Sequence, residues 1–135
     1  MNLKIYTDGG SRGNPGNAGI GVYITDEDGN EIEKRYKNLG IKTNNEAEYT
    51  AVYYALNRAI ELGASFITLF SDSSLVINQL NGNWKVKEDR LKIIKSDIDN
   101  LIKNNCLKVE FIWVKRELNK EADRLSNVAM DEVCE

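Results

Sequence analysis

The sequence predicts an α/β protein in which helices flank a five-stranded mixed sheet, with the elements in the order βββαβααβα. Three observations carry this prediction. Apolar and polar residues alternate in three segments near the start, apolar spacing becomes helical from residue 45, and short apolar strands then alternate with helices. With 135 residues the chain has the length of one domain, so we expect a single domain over residues 1–135.

The N-terminal part of the chain predicts three strands. Residues 2–8 alternate between apolar and polar side chains, and residues 9–17 predict a glycine-rich loop. Alternation resumes over residues 19–25. After the turn signal Asp-Glu-Asp-Gly-Asn at 26–30, the returning strand of a hairpin covers residues 31–37.

The remaining elements alternate between helical and extended patterns. Apolar residues recur at three- and four-residue steps over residues 45–62, which predicts a first helix that stops at Gly63. The elements that follow are a strand, two helices, a strand and a closing helix, over 66–70, 73–81, 88–103, 107–114 and 119–133. Such an order predicts a mixed sheet covered by helices.

The composition excludes several kinds of chemistry. The chain has no histidine, which removes Ser-His-Asp and Cys-His triads, imidazole bases and most zinc sites. Two cysteines, Cys106 and Cys134, cannot form a zinc site alone. The net charge of −3 argues against a polyanionic partner, but residues 82–124 carry 11 basic and 8 acidic side chains, so a local basic face is expected.

No run of apolar residues approaches the length of about 18 that a membrane span requires. We therefore expect no contact with a membrane and a location in the reducing cytoplasm. A monomer without an obligatory protein partner is expected.

Two aspartates follow apolar strands, and two further acids lie on helices. Asp8 and Asp72 come at the predicted carboxyl ends of strands, the sheet edge where α/β proteins bind ligands. Glu48 lies on the apolar stripe of the first helix, where a carboxylate needs a cation, donors or a proton. Asp123 lies in the first turn of the last helix. Each of the three aspartates alone is better explained as a turn, cap or helix-start residue.

Taken together, the four carboxylates predict a metal site. Two like charges about 5 Å apart repel by roughly 3 kcal/mol at an effective dielectric constant of about 20. A cluster of four therefore requires protons or cations. Oxygen ligands without histidine or cysteine favour Mg²⁺ or Mn²⁺, and two such ions suit phosphoryl chemistry.

Four separated motifs carry a resemblance to a known family. The segments Asp8-Gly-Gly-Ser-Arg-Gly-Asn-Pro-Gly16, Thr43-Asn-Asn-Glu-Ala-Glu48, Ser71-Asp-Ser73 and Asn119-Lys-Glu-Ala-Asp123 resemble ribonuclease H type 1, in order and over nearly the whole chain. The resemblance implies a ribonuclease H fold. It also implies endonucleolytic hydrolysis of the RNA strand of RNA–DNA hybrids, which leaves 3′-hydroxyl and 5′-phosphate ends.

The resemblance also implies residue roles. Asp8 would bridge two ions, Glu48 and Asp72 would complete one metal site, and Asp123 would serve the other. Substrate contacts are implied for a further set, whose alternative roles are turns and helix caps: Gly9, Gly10, Asn14, Thr43, Asn44 and Asn45.

The chain departs from the family pattern in two places. Many members carry a histidine on the loop before the last helix, where this chain has residues 114–118, and Arg116 is the best substitute as a phosphate ligand. A basic protrusion that some members use to hold the hybrid is not evident, and residues 83–87 are a modest replacement. Within them Trp84 is expected to pack in the interior, as is Trp113 in its strand.

Two alternative functions stay open at this stage. One is a catalytically silent nucleic-acid-binding module on the same fold, although such a module gains nothing from four clustered negative charges. The other is a related metal nuclease that acts on double-stranded RNA or on DNA. Only the loop asparagines favour the hybrid as substrate, and that preference depends on the resemblance.

Overall fold

The computed structural model describes residues 1–132 and contains the predicted elements in the predicted order. The strands are β1 (Asn2–Arg12), β2 (Gly16–Asp26), β3 (Glu31–Lys42), β4 (Phe66–Ser71) and β5 (Lys108–Trp113). The helices are α1 (Asn44–Glu61), α2 (Ser74–Leu80), α3 (Asp89–Asn104) and α4 (Lys120–Asp131), and a 3₁₀ turn covers Arg116–Leu118. No helix among residues 1–132 has both the length and the apolar character needed to cross a membrane.

The five strands form one mixed sheet in the order β3-β2-β1-β4-β5. The strands β1, β2 and β3 pair antiparallel, whereas β4 pairs parallel with β1 and with β5. The described β1–β4 pairing ends at Tyr6 and Phe70, two residues before Asp8 in β1 and Asp72 just after β4. The parallel pairing therefore brings these two aspartates to the same edge of the sheet. This edge is where the sequence predicted a ligand site.

Helices cover both faces of the sheet. On one face, alternate side chains of β1, β2 and β4 are fully buried against α1, and α3 packs on the outer side of α1. Because each strand and helix buries one side in this core, the sequence alternates in the strands and carries an apolar stripe in the helix. On the other face, α4 lies directly on β1 and β2.

The approach of α4 depends on glycine in β2. A Cβ atom at Gly21 would lie 2.2 Å from the backbone oxygen of Ala122, and one at Gly19 would lie 2.7 Å from Cβ of Ala129. Contacts this short would push the helix outward, so both positions need glycine. The two glycines therefore fix the distance between α4 and the sheet.

The glycine-rich loop predicted over residues 9–17 is too long, since only residues 13–15 form a turn. Strand β1 continues to Arg12 and stays paired with β2 as far as Asn17, so Asp8 lies within the strand rather than at its end. A Cβ atom at Gly9 would lie 2.4 Å from the backbone carbon of Ala47, which shows that this glycine serves close helix packing.

Two further boundaries differ from the predictions. Strand β3 runs to Lys42, five residues beyond the predicted end, because it stays paired with the long β2. Helix α4 ends at Asp131, because Glu132 already has an extended backbone, and the predicted last helical residue, Val133, lies outside the described residues.

Candidate active site

An open cleft of about 630 Å³ lies where β1, the start of α1, the end of β4 and α4 meet. All four carboxylates that the sequence singled out line it: Asp8, Glu48, Asp72 and Asp123. The cleft is also lined by the indole of Trp113 and by Arg116. Side chains from five separate elements and one loop thus converge on one concave surface.

Three of the carboxylates form a tight group. One oxygen atom of each of Asp8, Glu48 and Asp72 lies within 4.8 Å of the other two. Asp8 is 6% exposed and Glu48 is 9% exposed, whereas Asp72 is half-buried. The Oε2 atom of Glu48 is buried and makes no hydrogen bond to any residue between 1 and 132. An oxygen-only group with a buried unpaired oxygen fits a hard divalent cation.

The pKa values of the three groups are all raised. Burial, followed by the charge of Asp72, raises the pKa of Asp8 from 3.8 to about 7. Burial and the neighbouring Asp8 raise the pKa of Glu48 well above 4.5. Burial also raises the pKa of Asp72, although the positive charge of Arg116 acts in the opposite direction. The fold therefore holds these acids together against their repulsion, which a bound cation would relieve.

Asp123 lies in the same cleft but, among the described residues, outside the group of three. Its negative charge contributes to the raised pKa of Asp72. Its backbone oxygen accepts a hydrogen bond from the side chain of Asn127 at 2.9 Å and also lies 2.8 Å from Oγ of Ser126. The Asp123 side chain is half-buried and lines the cleft.

Helix α1 places Glu48 by its cap and by close packing. The side chain of Thr43 accepts a hydrogen bond from the backbone N–H of Glu46, and the Glu46 carboxylate accepts one from the backbone N–H of Thr43. This capping box gives Glu46 a structural role at the start of the helix. Since Gly9 lets the helix approach β1, Glu48 is held beside Asp8.

The predicted substrate-binding residues divide into two sets. Among the described residues, the cleft lining includes Gly9, Gly10, Asn44, Asn45 and Arg116 but not Asn14 or Thr43. The side chain of Asn44 accepts a hydrogen bond from the backbone N–H of Ser11 at 2.7 Å. Its own backbone N–H donates to Oδ1 of Asn14 at 3.1 Å. Asn14 and Asn44 thus join the β1–β2 turn to the start of α1.

The predicted interior packing of the two tryptophans is wrong. Trp113 is 48% exposed because it ends β5 at the open edge, and its indole N–H donates to the backbone oxygen of Asp72 at 3.1 Å. Trp84 is also 48% exposed and lines a neighbouring groove of about 300 Å³ with Lys85 and Lys87. Asn45 lines both the groove and the cleft, which makes them contiguous.

Sequence reasoning missed two residues of the site. Ser126 on α4 is buried, and its hydroxyl donates to Oδ2 of Asp8 at 2.9 Å. Asn119 is buried, and its amide donates to the backbone oxygen of Thr7 at 2.9 Å, which ties the start of α4 to β1. Ser126 falls three residues after Asp123, on the same face of the helix, and this spacing is the one sequence feature that could have indicated its place in the site.

Comparisons with known proteins agree with the fold. A family model described as "Reverse transcriptase-like" matches residues 6–129. A protein named Ribonuclease H from Ruthia magnifica is 36% identical, with 97% of each chain covered. The chain spans only 36% of the length of the 40%-identical Bifunctional protein Rv2228c from Mycobacterium tuberculosis.

Two solved structures are similar over almost the whole chain. RNase H1 from the archaeon Halobacterium salinarum has a TM-score of 0.94 and 34% identity, with 98% of this chain and 100% of that chain covered. LC11-RNase H1, isolated from compost and solved in complex with an RNA/DNA hybrid, has a TM-score of 0.92 and 41% identity, with 96% of each chain covered. On the match to the family model and this similarity in sequence and structure, the chain belongs to the ribonuclease HI family.

Proposed function

We propose that this protein is an endonuclease that hydrolyses the RNA strand of RNA–DNA hybrids and leaves 3′-hydroxyl and 5′-phosphate ends. The observation that carries the proposal is the group of three carboxylates, with oxygens within 4.8 Å of one another, in the cleft of a ribonuclease HI family member. The similar LC11-RNase H1 has been solved with an RNA/DNA hybrid, which supports the same substrate class.

The proposed cofactor is a pair of Mg²⁺ or Mn²⁺ ions. Asp8, Glu48 and Asp72 would hold one ion, with Asp8 shared and Asp123 serving the second. When bound, the ions supply the positive charge that activates water and stabilises the departing 3′ oxygen. Two divalent ions also offset the negative charge of the cleft, which otherwise repels a polyanionic strand.

The residues of this chain have separate tasks in the proposal. The four carboxylates fix the place where cleavage occurs. Arg116 is exposed beside Asp72 and is suited to hold a phosphate of the RNA strand, because its planar guanidinium can donate two parallel hydrogen bonds to phosphate oxygens. An arginine does not replace a histidine base. The backbone at Gly9 and Gly10 lines the cleft, where a bound nucleic acid could contact it.

The groove beside the cleft suits the DNA strand of the hybrid. Trp84 offers an aromatic face in a groove that Lys85 and Lys87 also line, and Asn45 connects this groove with the carboxylates. Gln79 holds the segment around Lys85 in place. Its amide donates to the backbone oxygen of Lys85, and its carbonyl accepts a hydrogen bond from the hydroxyl of Tyr49 at 2.6 Å. A monomeric state and a cytoplasmic location stay predictions.

The proposal is tested with three labelled substrates of one sequence: the RNA–DNA hybrid, the RNA duplex and the DNA duplex. Each is incubated with Mg²⁺, with Mn²⁺ and with a chelator. We expect cleavage of the RNA strand of the hybrid in the presence of either metal and none with the chelator. Binding of the hybrid without cleavage would instead indicate a silent binding module. Faster cleavage of the RNA duplex would indicate a different nuclease.

A further inference from the structure

Helix α4 carries a buried serine whose hydroxyl faces the central carboxylate of the site. Ser126 is 1% exposed. Its Oγ atom lies 2.9 Å from Oδ2 of Asp8 and 2.8 Å from the backbone oxygen of Asp123. A hydroxyl has a single proton, so it donates to only one of these two acceptors at a time.

The competition between the two acceptors favours Asp8. The backbone oxygen of Asp123 has another side-chain donor, the amide of Asn127 at 2.9 Å, and therefore stays satisfied without the serine. Above pH 7, where Asp8 is ionised, its carboxylate is also a stronger acceptor than a peptide oxygen, because the hydrogen bond is charge-assisted. The Ser126 hydroxyl thus holds one oxygen of the Asp8 carboxylate in a fixed direction.

The backbone of β2 makes this contact possible. Gly21 lies directly opposite Asp8 in the β1–β2 pairing. A Cβ atom at Gly21 would lie 2.6 Å from the backbone nitrogen of Ser126, and one at Gly19 would lie 2.9 Å from its backbone oxygen. The absence of side chains at these two positions lets α4 come close enough for the serine to reach Asp8. The contact is therefore built into the packing of helix on sheet.

From this geometry we propose that Ser126 is a positioning residue for divalent metal binding, which orients the Asp8 carboxylate through its hydroxyl. The inference deepens the proposed function and rests on it. Ser126 acts through Asp8, because its side chain is buried and its hydroxyl lies 2.9 Å from Oδ2 of that carboxylate. Loss of a group that orients a metal ligand typically lowers metal affinity by about 10- to 100-fold. A carboxylate that is already held in one direction loses less conformational freedom when the ion binds, so it binds the ion more tightly.

The test is calorimetric titration of Mn²⁺ into the parent protein and into Ser126→Ala. We expect the variant to bind Mn²⁺ at least about tenfold more weakly. The metal concentration for half-maximal cleavage should rise by the same factor, while the rate at saturating metal changes little. The matched control is Thr50→Val, which removes a helix hydroxyl that donates only to the backbone oxygen of Glu46 and should keep the parent affinity.

Two further variants distinguish failure of the role proposed for Ser126 from failure of the proposed metal site. Ser126→Thr keeps the hydroxyl and should restore Mn²⁺ affinity, so equal weakening in the Ala and Thr variants would assign the effect to packing and overturn the inference. Equal Mn²⁺ affinity in the parent and Ser126→Ala would overturn it as well. Equal affinity in the parent and Asp8→Asn has a different meaning, because it would contradict the proposed metal site itself.

Discussion

The site has two halves that differ in how the fold holds them. The buried half, Asp8 and Glu48, is enclosed between β1, α1 and α4, and its acids are less than a tenth exposed. The open half is formed by Asp72, Asp123, Arg116 and Trp113, all of them half-buried or exposed at the rim of the cleft. Close packing and the Ser126 hydroxyl hold the buried half, whereas the open half keeps its side chains accessible to a polyanion. In the proposal, the buried half supplies the ligand shared by the two ions, and the open half adds Asp72 and Asp123 as further ligands beside the side chains proposed to contact the substrate.

The largest expected effect is the loss of cleavage in Asp8→Asn. This change removes the ligand shared by both proposed metal sites, and metal ions supply several kcal/mol of transition-state stabilisation, so the rate should fall by roughly a thousandfold or more. Affinity for the hybrid should change little, because one of several repelling charges is lost. Single-turnover cleavage and fluorescence anisotropy measure the two quantities. If Asp8→Asn cuts at nearly the parent rate, Asp8 is not a metal ligand that cleavage requires.

The second effect is a pH dependence of stability that comes from the buried half. Because the pKa of Asp8 is raised from 3.8 to about 7, the folded protein holds a proton that the unfolded chain has released between these values. The contribution of Asp8 to the free energy of unfolding is therefore greatest below pH 4 and falls by a few kcal/mol as the pH rises to 7.

Urea unfolding of the metal-free parent and of Asp8→Asn isolates this contribution. Ion pairs elsewhere titrate equally in both proteins, so the stability of Asp8→Asn relative to the parent should increase from pH 4 to pH 7. Saturating Mg²⁺ should remove most of that increase. A constant difference across this range would show that Asp8 is not held in an unfavourable environment.

A third effect tests whether packing holds the buried half. In Gly9→Ala the new methyl group would lie 2.4 Å from the backbone of Ala47, so we expect a loss of about 1–3 kcal/mol of stability. The matched control is Gly10→Ala, whose methyl group would meet only the flexible end of Met130, at 3.2 Å. Urea midpoints measure both changes. Equal stability of the two variants would contradict the close approach of α1 to β1.

The smallest effect concerns the open half. Arg116→Ala should weaken binding of the hybrid several-fold and lower the slope of log affinity against log salt by about 0.9, the value for one lost phosphate contact. Anisotropy titrations at several salt concentrations, in the Asp8→Asn background, measure this slope. The control is Lys103→Ala, an exposed lysine at the far end of α3, which should leave the slope unchanged. An unchanged slope in Arg116→Ala would exclude the phosphate contact.

The sequence predicted the buried half better than the open half, for a physical reason. Glu48 was recognisable because an acid on an apolar helix stripe violates the local pattern, and its burial is confirmed. Trp113 was misplaced because a tryptophan within a strand pattern does not reveal that its strand ends at an open edge. Gly9 was assigned to a loop because glycine signals turns and close packing alike. Only the position of α1 distinguishes the two.

The most direct test of the proposed metal site is anomalous diffraction from a crystal of the parent protein soaked in Mn²⁺. We predict two manganese peaks in the cleft, one among Asp8, Glu48 and Asp72 and one between Asp8 and Asp123. A saturated soak with no peak beside these carboxylates, or with manganese bound only elsewhere, would contradict it.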